Sequence, residues 1–167
     1  MGQTVAKDTK CKDINILKRA LQNIFGWDKI ETLTPEQEKE GQELNVSLFG
    51  RVIGGLPVVM KVKKENLVDK EGRKAVFSDF AVVRKPDGTL QIQSDLHNFD
   101  ARDKISFITD DMITGVNCGY AKEAIDTHIQ SITTETIQDW SENGDNLEKI
   151  IDIDEDEIGD IPQANYL

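Results

Sequence analysis

Cysteine and histidine are scarce in this chain, two of each in 167 residues, and proline occurs four times. Cys11 and Cys118 stand far apart and in no metal-type spacing, which excludes a disulfide framework and a zinc knuckle. They are expected to be free thiols of a reducing cytosol. Whether the two approach each other depends on the fold. Long apolar runs are missing too. The longest, Val58 to Met60 and Phe80 to Val83, fall far short of the roughly 20 residues needed to cross a bilayer. Nucleophile elbows, phosphate-binding glycine loops and dinucleotide fingerprints are absent. The opening MGQTVAKDTK has no apolar core of a signal peptide, and Ala6 stands where a myristoylation motif wants Ser or Thr. The expectation is a cytoplasmic protein without membrane attachment.

What is present is ordinary for a globular protein: 38% hydrophobic and 31% charged residues. About 130 residues of that mixture bury a proper core without a metal or a disulfide staple. The charge is unevenly placed. Residues 1–134 hold 20 Asp/Glu against 19 Lys/Arg, whereas residues 135–167 hold 11 against Lys149 alone. Nearly all of the formal −11 therefore sits in the last fifth of the chain. Self-repulsion at that density favours an extended, solvated segment and opposes contact with a phosphate backbone. A local basic strip (Lys61, Lys63, Lys64, Lys70, Arg73, Lys74) alternates with acids and brings no aromatic partners in sequence, so direct nucleic-acid binding is not expected.

Ile14, Leu17, Leu21, Ile24 and Phe25 recur at helical spacing after Asp13, a good N-cap, and Gly26 ends the run. A helix is expected over about 13–25, with Trp27 packing back on its end. Thr34-Pro35-Glu36-Gln37 carries a capping-box pattern for one surface turn of helix. Alternation of Leu44, Val46 and Leu48 predicts a strand over 42–49, and the apolar runs that follow predict strands over 57–63, 75–84 and 89–96. Lys85-Pro86-Asp87-Gly88 makes the last two a hairpin. Met112, Val116, Tyr120, Ala124, His128 and Ile132 fall four apart, predicting a second long helix over 110–132 capped by Thr109 or Asp110. Gly115 and Gly119 inside it are read as places of close packing against the sheet. The predicted fold is α+β: a mostly antiparallel four-stranded sheet covered by two helices, spanning residues 13–134. A flexible N-terminus (1–12) precedes it and an acidic C-terminal segment (135–167) follows.

Two clusters carry chemistry. Asp95, His97, Asp100 and Asp103 follow a strand, where functional loops often sit, and are candidate catalytic residues for a metal-assisted enzyme. Asp95 and His97 fall on one face of an extended chain and can pair or chelate together. A hydrolase site needs a further ligand, and His128 reads as a packed helix residue. Trp140, Asp152, Asp154, Glu155, Asp156 and Glu157 are candidate partner-binding residues of the acidic segment. The run from Asp152 to Asp156 imitates the start of an EF-hand loop. Glu157 and Gln163 occupy the positions that require glycine and the bidentate glutamate, so no metal is assigned there.

Several of these motifs carry a resemblance. The Ile16-Leu17-Lys18-Arg19-Ala20-Leu21 helix core leading to Gly26-Trp27 comes first. The Phe80-Ala81-Val82-Val83 strand, the Pro86-Asp87-Gly88 hairpin, the strand ending in Asp95 and the Tyr120-Ala121 helix follow in that order. In this sequence the chain, over about residues 12–132, resembles the small proteins of cyanobacteria and algal plastids classed as domain of unknown function 1257. The connection 63–74 and the acidic end depart from that family. The resemblance implies the order of elements and lends no activity.

The leading expectation is a non-enzymatic interaction or accessory protein, without a cofactor, that binds a partner with a basic surface through its acidic segment. An acidic nucleic-acid mimic that blocks a DNA- or RNA-binding protein, as some phage proteins do, is the alternative. A metal-dependent enzyme using the 95–103 loop is the third.

Overall fold

The computed structural model of the chain describes residues 3–99 and 107–132. It is an α+β fold with one five-stranded antiparallel sheet and three α-helices. The elements in chain order are β1 (Thr4–Asp8), α1 (Ile14–Phe25), β2 (Glu31–Thr32), α2 (Pro35–Lys39), β3 (Val58–Val62), β4 (Phe80–Arg84), β5 (Leu90–Asp95) and α3 (Asp110–Ile132). The strands lie side by side in the order β1-β5-β4-β3-β2.

Local chemistry accounts for both long helices where the spacing predicts them. Asp13 caps α1 by accepting from the N–H groups of Asn15 and Ile16. Gly26 closes it in the left-handed conformation, φ 73°, and donates to the Gln22 carbonyl. The Thr109 hydroxyl accepts from the Met112 N–H at the start of α3. Thr34 and Gln37 form the reciprocal capping box of α2. Trp27 stacks on Phe25 with ring centroids 4.4 Å apart and meets Phe80 edge-on.

The sheet departs from expectation at both edges. A flexible segment is expected over 1–12, yet Thr4–Asp8 pairs with β5 from Thr4 opposite Asp95 to Asp8 opposite Gln91. Its residues give little local signal for a strand. The ladder is what holds it, with Val5 against the core and Lys7 ion-paired to Asp110 at 2.9 Å. The expected strand over 42–49 does not join the sheet. Leu44, Val46 and Leu48 do bury one side, as their alternation implies, but against Val58, Ala81 and Val83 on the face away from the long helices. The place beside β3 goes instead to the two-residue β2, whose flanking Ile30 and Leu33 are buried. The expected strand over 75–84 begins only at Phe80, because Asn98 takes the backbone bonds of the residues before it.

Alternation along the strands then separates two apolar layers. Val62, Phe80, Val82, Leu90 and Ile92 pack with α1 and α3 in the main core. Val58, Ala81 and Val83 pack under the segment 44–56. Side chains staple that segment to the sheet through its own backbone. Thr4 Oγ1 accepts from the Phe49 N–H and donates to its carbonyl. The Gln93 amide does the same at Ile53, at 2.8 and 2.9 Å. Asp79 Oδ2 accepts from the Ser47 N–H. Arg84 forks onto Glu38 and also reaches the Lys12 and Gly88 carbonyls, joining α2, the hairpin and the start of α1.

The glycines of α3 differ in their reasons. Gly119 packs on α1 rather than on the sheet: a Cβ there would stand 3.0 Å from Ile24 Cδ1 and 3.7 Å from Ala20 Cβ. Gly115 meets nothing within 4 Å among the described residues. Gly115→Ala is therefore expected to stabilise the fold by about 0.5–1 kcal/mol through helix propensity. Gly119→Leu is expected to cost about 1–3 kcal/mol by overpacking the helix crossing. Urea midpoints of the two variants check the contrast.

Candidate functional site

The loop cluster singled out from sequence begins in a buried polar knot. β4 and β5 part at Asp79 and Asp95, and the chain there has lost its ladder partners. Side chains replace them. Asn98, fully buried, accepts on Oδ1 from the N–H groups of Phe77 and Ser78 at 2.9 and 3.0 Å. Its Nδ2 donates to the Ser78 carbonyl and to Ser94 Oγ. Ser94 donates in turn to the Asp79 carbonyl at 2.9 Å, and Ser78 Oγ accepts from the Asp95 N–H. Asp79 spends both carboxylate oxygens on main-chain donors, those of Ser47 and Lys64.

Asp95 and His97 sit at the end of this knot. Asp95 is fully buried, and its Oδ1 accepts from the His97 N–H at 2.8 Å, an Asx turn that sets the path of the loop. Asp95 Oδ2 and His97 Nδ1 are both buried and have no hydrogen-bond partner among the described residues, so the carboxylate meets His97 through its backbone N–H and not through its ring. No group of three or more His, Cys, Asp or Glu placed to hold a metal occurs among the described residues. Asp100 and Asp103 lie outside the described residues, as do Trp140, Asp152, Asp154, Glu155, Asp156 and Glu157. His128 is half-buried on α3.

A cleft of about 460 Å³ opens beside the knot, between α1, α3 and the turn at 69–73. Phe25, Phe99 and Phe107 supply aromatic surface and Ile24 and Met112 aliphatic surface. The Phe107 ring holds this wall together, 4.5 Å from Phe99 and 5.8 Å from Phe25 between centroids. The rim is charged. Arg73 Nε meets Asp69 Oδ2 at 2.6 Å, and Asp69 Oδ1 accepts from the Glu71 and Arg73 N–H groups. Trp27 Nε1 anchors the turn by donating to the Val68 carbonyl at 2.6 Å. Gly115 forms part of the wall, at a position where described neighbours do not require a glycine. An apolar floor under a few fixed charges suits an amphipathic side chain or ligand. Sequence reading missed this cleft because its aromatics stand singly in the chain, and Phe99 lay hidden in a cluster read for its polar residues.

The thiols are separate, Cys11 buried and Cys118 exposed on α3, and both are free. Burial pushes the Cys11 thiol up to about 12, with the Thr9 hydroxyl offsetting part of the effect. Burial likewise raises the Tyr120 phenol, whose oxygen accepts from the Lys12 and Asp13 N–H groups.

Comparison with known protein families, with curated proteins and with solved structures finds no match.

Two expectations follow from this geometry. Asn98→Ala orphans two buried N–H donors and a carbonyl, and each orphaned group costs about 1–3 kcal/mol, so a loss of at least about 3 kcal/mol is expected in urea unfolding. The second concerns Cys11. Its native form keeps the proton longer than the unfolded chain does, so its contribution to stability is full below 9.0 and is lost as pH rises toward about 12. Stability is expected to fall across that window, and less steeply in Cys11→Ala. A thiol reagent at neutral pH is expected to label Cys118 alone until the protein is unfolded.

Proposed function

We propose that the protein is a non-enzymatic interaction protein that captures a partner bearing a basic surface. The observation that carries this reading is the division of charge. Residues 135–167 contribute 11 acids against one cation, whereas residues 1–134 are close to neutral. A charge block of that kind speeds encounter with a cationic surface and repels an anionic one. Trp140 and the isoleucines between 150 and 161 give the block apolar groups with which to hold what the charge attracts. The body adds a cleft with an aromatic wall, suited to an anchoring side chain of the partner. No helix among the described residues is long and apolar enough to cross a membrane. The proposal includes kinship with domain of unknown function 1257, on the motifs from Ile16 to Ala121 quoted above, and cytoplasmic residence.

The burial of Asp95 supports this reading over a hydrolytic one. Asp95 is closed off from solvent, and one of its oxygens is engaged by its own loop. A catalytic carboxylate has to reach substrate.

The test is a pull-down from the native host with the full chain and with a chain lacking 141–167, repeated across salt concentration. The truncated chain is expected to keep its circular dichroism and to lose about tenfold or more in capture. That magnitude is what several exposed ion pairs of about 0.2–1 kcal/mol supply together. Capture by the full chain is expected to fall steeply toward about 1 M salt, where the screening length is about 3 Å. Unfolding on truncation, or capture indifferent to it, overturns the reading.

A further inference from the structure

The sheet face away from the long helices carries a surface that the acidic segment fits. Among the described residues Phe49, Ile53 and Val76 are the large hydrophobic side chains that stand exposed, at 45%, 44% and 55%. Ring contact and hydrogen bonds tie their segments to one another. The Phe49 ring meets Phe77 edge-on at 5.8 Å, Val76 precedes Phe77, and Ile53 is clamped to Gln93, two residues along β5 from the partner of Thr4, which clamps Phe49. Side chains fix the backbone at Phe49 and Ile53, and the Asn98 carbonyl accepts from the Val76 N–H at 2.7 Å, so each position is tied to the sheet end.

Cations surround it. Arg51 lies between Phe49 and Ile53, and Lys74 lies two residues before Val76. The Lys64 N–H is bonded to Asp79, whose other oxygen holds Ser47, and Lys63 adjoins it. Arg51, Lys63, Lys64 and Lys74 are exposed and form no side-chain ion pair among the described residues, and the acid among them is Glu65. Lys7, Arg19, Arg73, Arg84 and Lys85 are paired with acids, whereas the exposed Lys12, Lys29, Lys39 and Lys70 form no ion pair among the described residues either. What sets Arg51, Lys63, Lys64 and Lys74 apart is the exposed apolar side chains beside them in the chain.

We propose that this face is the intramolecular dock of the chain's own acidic segment, with Asp152 to Glu157 against Arg51, Lys63, Lys64 and Lys74. Ile150, Ile151, Ile153 and Ile158 lie over Phe49, Ile53 and Val76. The complement is specific in kind: alternating acids and isoleucines meet alternating cations and apolar groups. Reach is sufficient. Residues 133–151 extend to at most about 65 Å, and a domain of this size has a radius of gyration of about 14 Å. Tethering sets an effective concentration in the millimolar range, so contacts too weak to hold a free peptide hold this one. The docking stands on these residues alone and does not depend on the partner reading. Where that reading also holds, a basic partner must displace the segment, and the dock sets the threshold for capture.

The test is zero-length carbodiimide cross-linking of the full-length protein, using an equal mixture of isotope-labelled and unlabelled chains. Trypsin leaves 150–167 as one peptide, because Lys149 is the last cation of the chain. Cross-links from that peptide to Lys63, Lys64 or Lys74 are expected, in pairs of like isotope, and are expected to vanish at about 1 M salt. The variant R51E/K74E is expected to lose the cross-links to Lys63 and Lys64 while keeping its circular dichroism. F49S is expected to weaken them with the charges untouched. Mixed-isotope pairs, no cross-link, or cross-links indifferent to salt overturn the proposal. So does a single-stranded oligonucleotide that protects these lysines from amine labelling in the full chain, where loosening the segment with Ile151→Ser and Ile153→Ser leaves their labelling unchanged. If R51E/K74E fails to fold, the salt series on the unaltered chain decides. Failure here leaves the salt-sensitive pull-down free to succeed or fail separately.

Discussion

The satisfaction of main-chain donors where β4 and β5 diverge underlies the arrangement of the rest. A buried N–H without a partner costs more than most single contacts return. Here a strand enters the sheet late, at Phe80, and three or four residues before it would be orphaned in the interior. Asn98 closes that gap with two hydrogen bonds, from the Phe77 and Ser78 N–H groups, Asp79 accepts from those of Ser47 and Lys64 alongside, and Ser78 and Ser94 tie the carbonyls and hydroxyls between them. Through Asp79 the knot also holds Ser47, and with Thr4 and Gln93 it fixes the segment 44–56 against the second sheet face. The 69–73 turn beside α3 is anchored separately, by Trp27.

Much of this was legible in the chain, and the parts that were not share a cause. Helix α1 declares itself through Asp13, five apolar residues at helical spacing and Gly26, all local signals. The hairpin declares itself through Pro86-Asp87-Gly88. The strand β1 does not, because Thr4 to Asp8 is strand only by virtue of its pairing with residues some ninety positions later. The segment 44–48 shows the converse. Its alternation reports truthfully that one side is buried, but alternation alone does not distinguish a strand in the ladder from a chain lying on the sheet face. Gly119 was rightly read as a close approach, but the approach is to α1.

The candidate site was half legible for a related reason. Ser94, Asp95 and Asn98 stood out as a polar cluster at a strand end, where catalytic loops and structural knots have the same composition. Burial separates them. A side chain that is fully buried with its acceptors turned to its own backbone is holding the loop, and Asn98 is in that position. Asp95 differs from Asn98 in retaining one oxygen without a partner among the described residues, while its other oxygen is likewise spent on its own loop.

The distribution of charge then acquires a structural meaning. Some cations are consumed by acids: Lys7 by Asp110, Arg19 by Glu123, Arg73 by Asp69. Beside the exposed apolar side chains, Arg51, Lys63, Lys64 and Lys74 form no ion pair among the described residues even though residues 1–134 sum to nearly neutral. A near-neutral sum can therefore coexist with a polarised surface, and the acids missing from that face are supplied in excess by residues 135–167. A chain with only a solubility requirement would gain nothing by keeping its carboxylates in one block and its unpaired cations beside exposed phenylalanine and isoleucine. Separation of that kind is useful when the two halves meet and part, since the interaction is then strong enough to form through the tether and weak enough for a competing cationic surface to replace it.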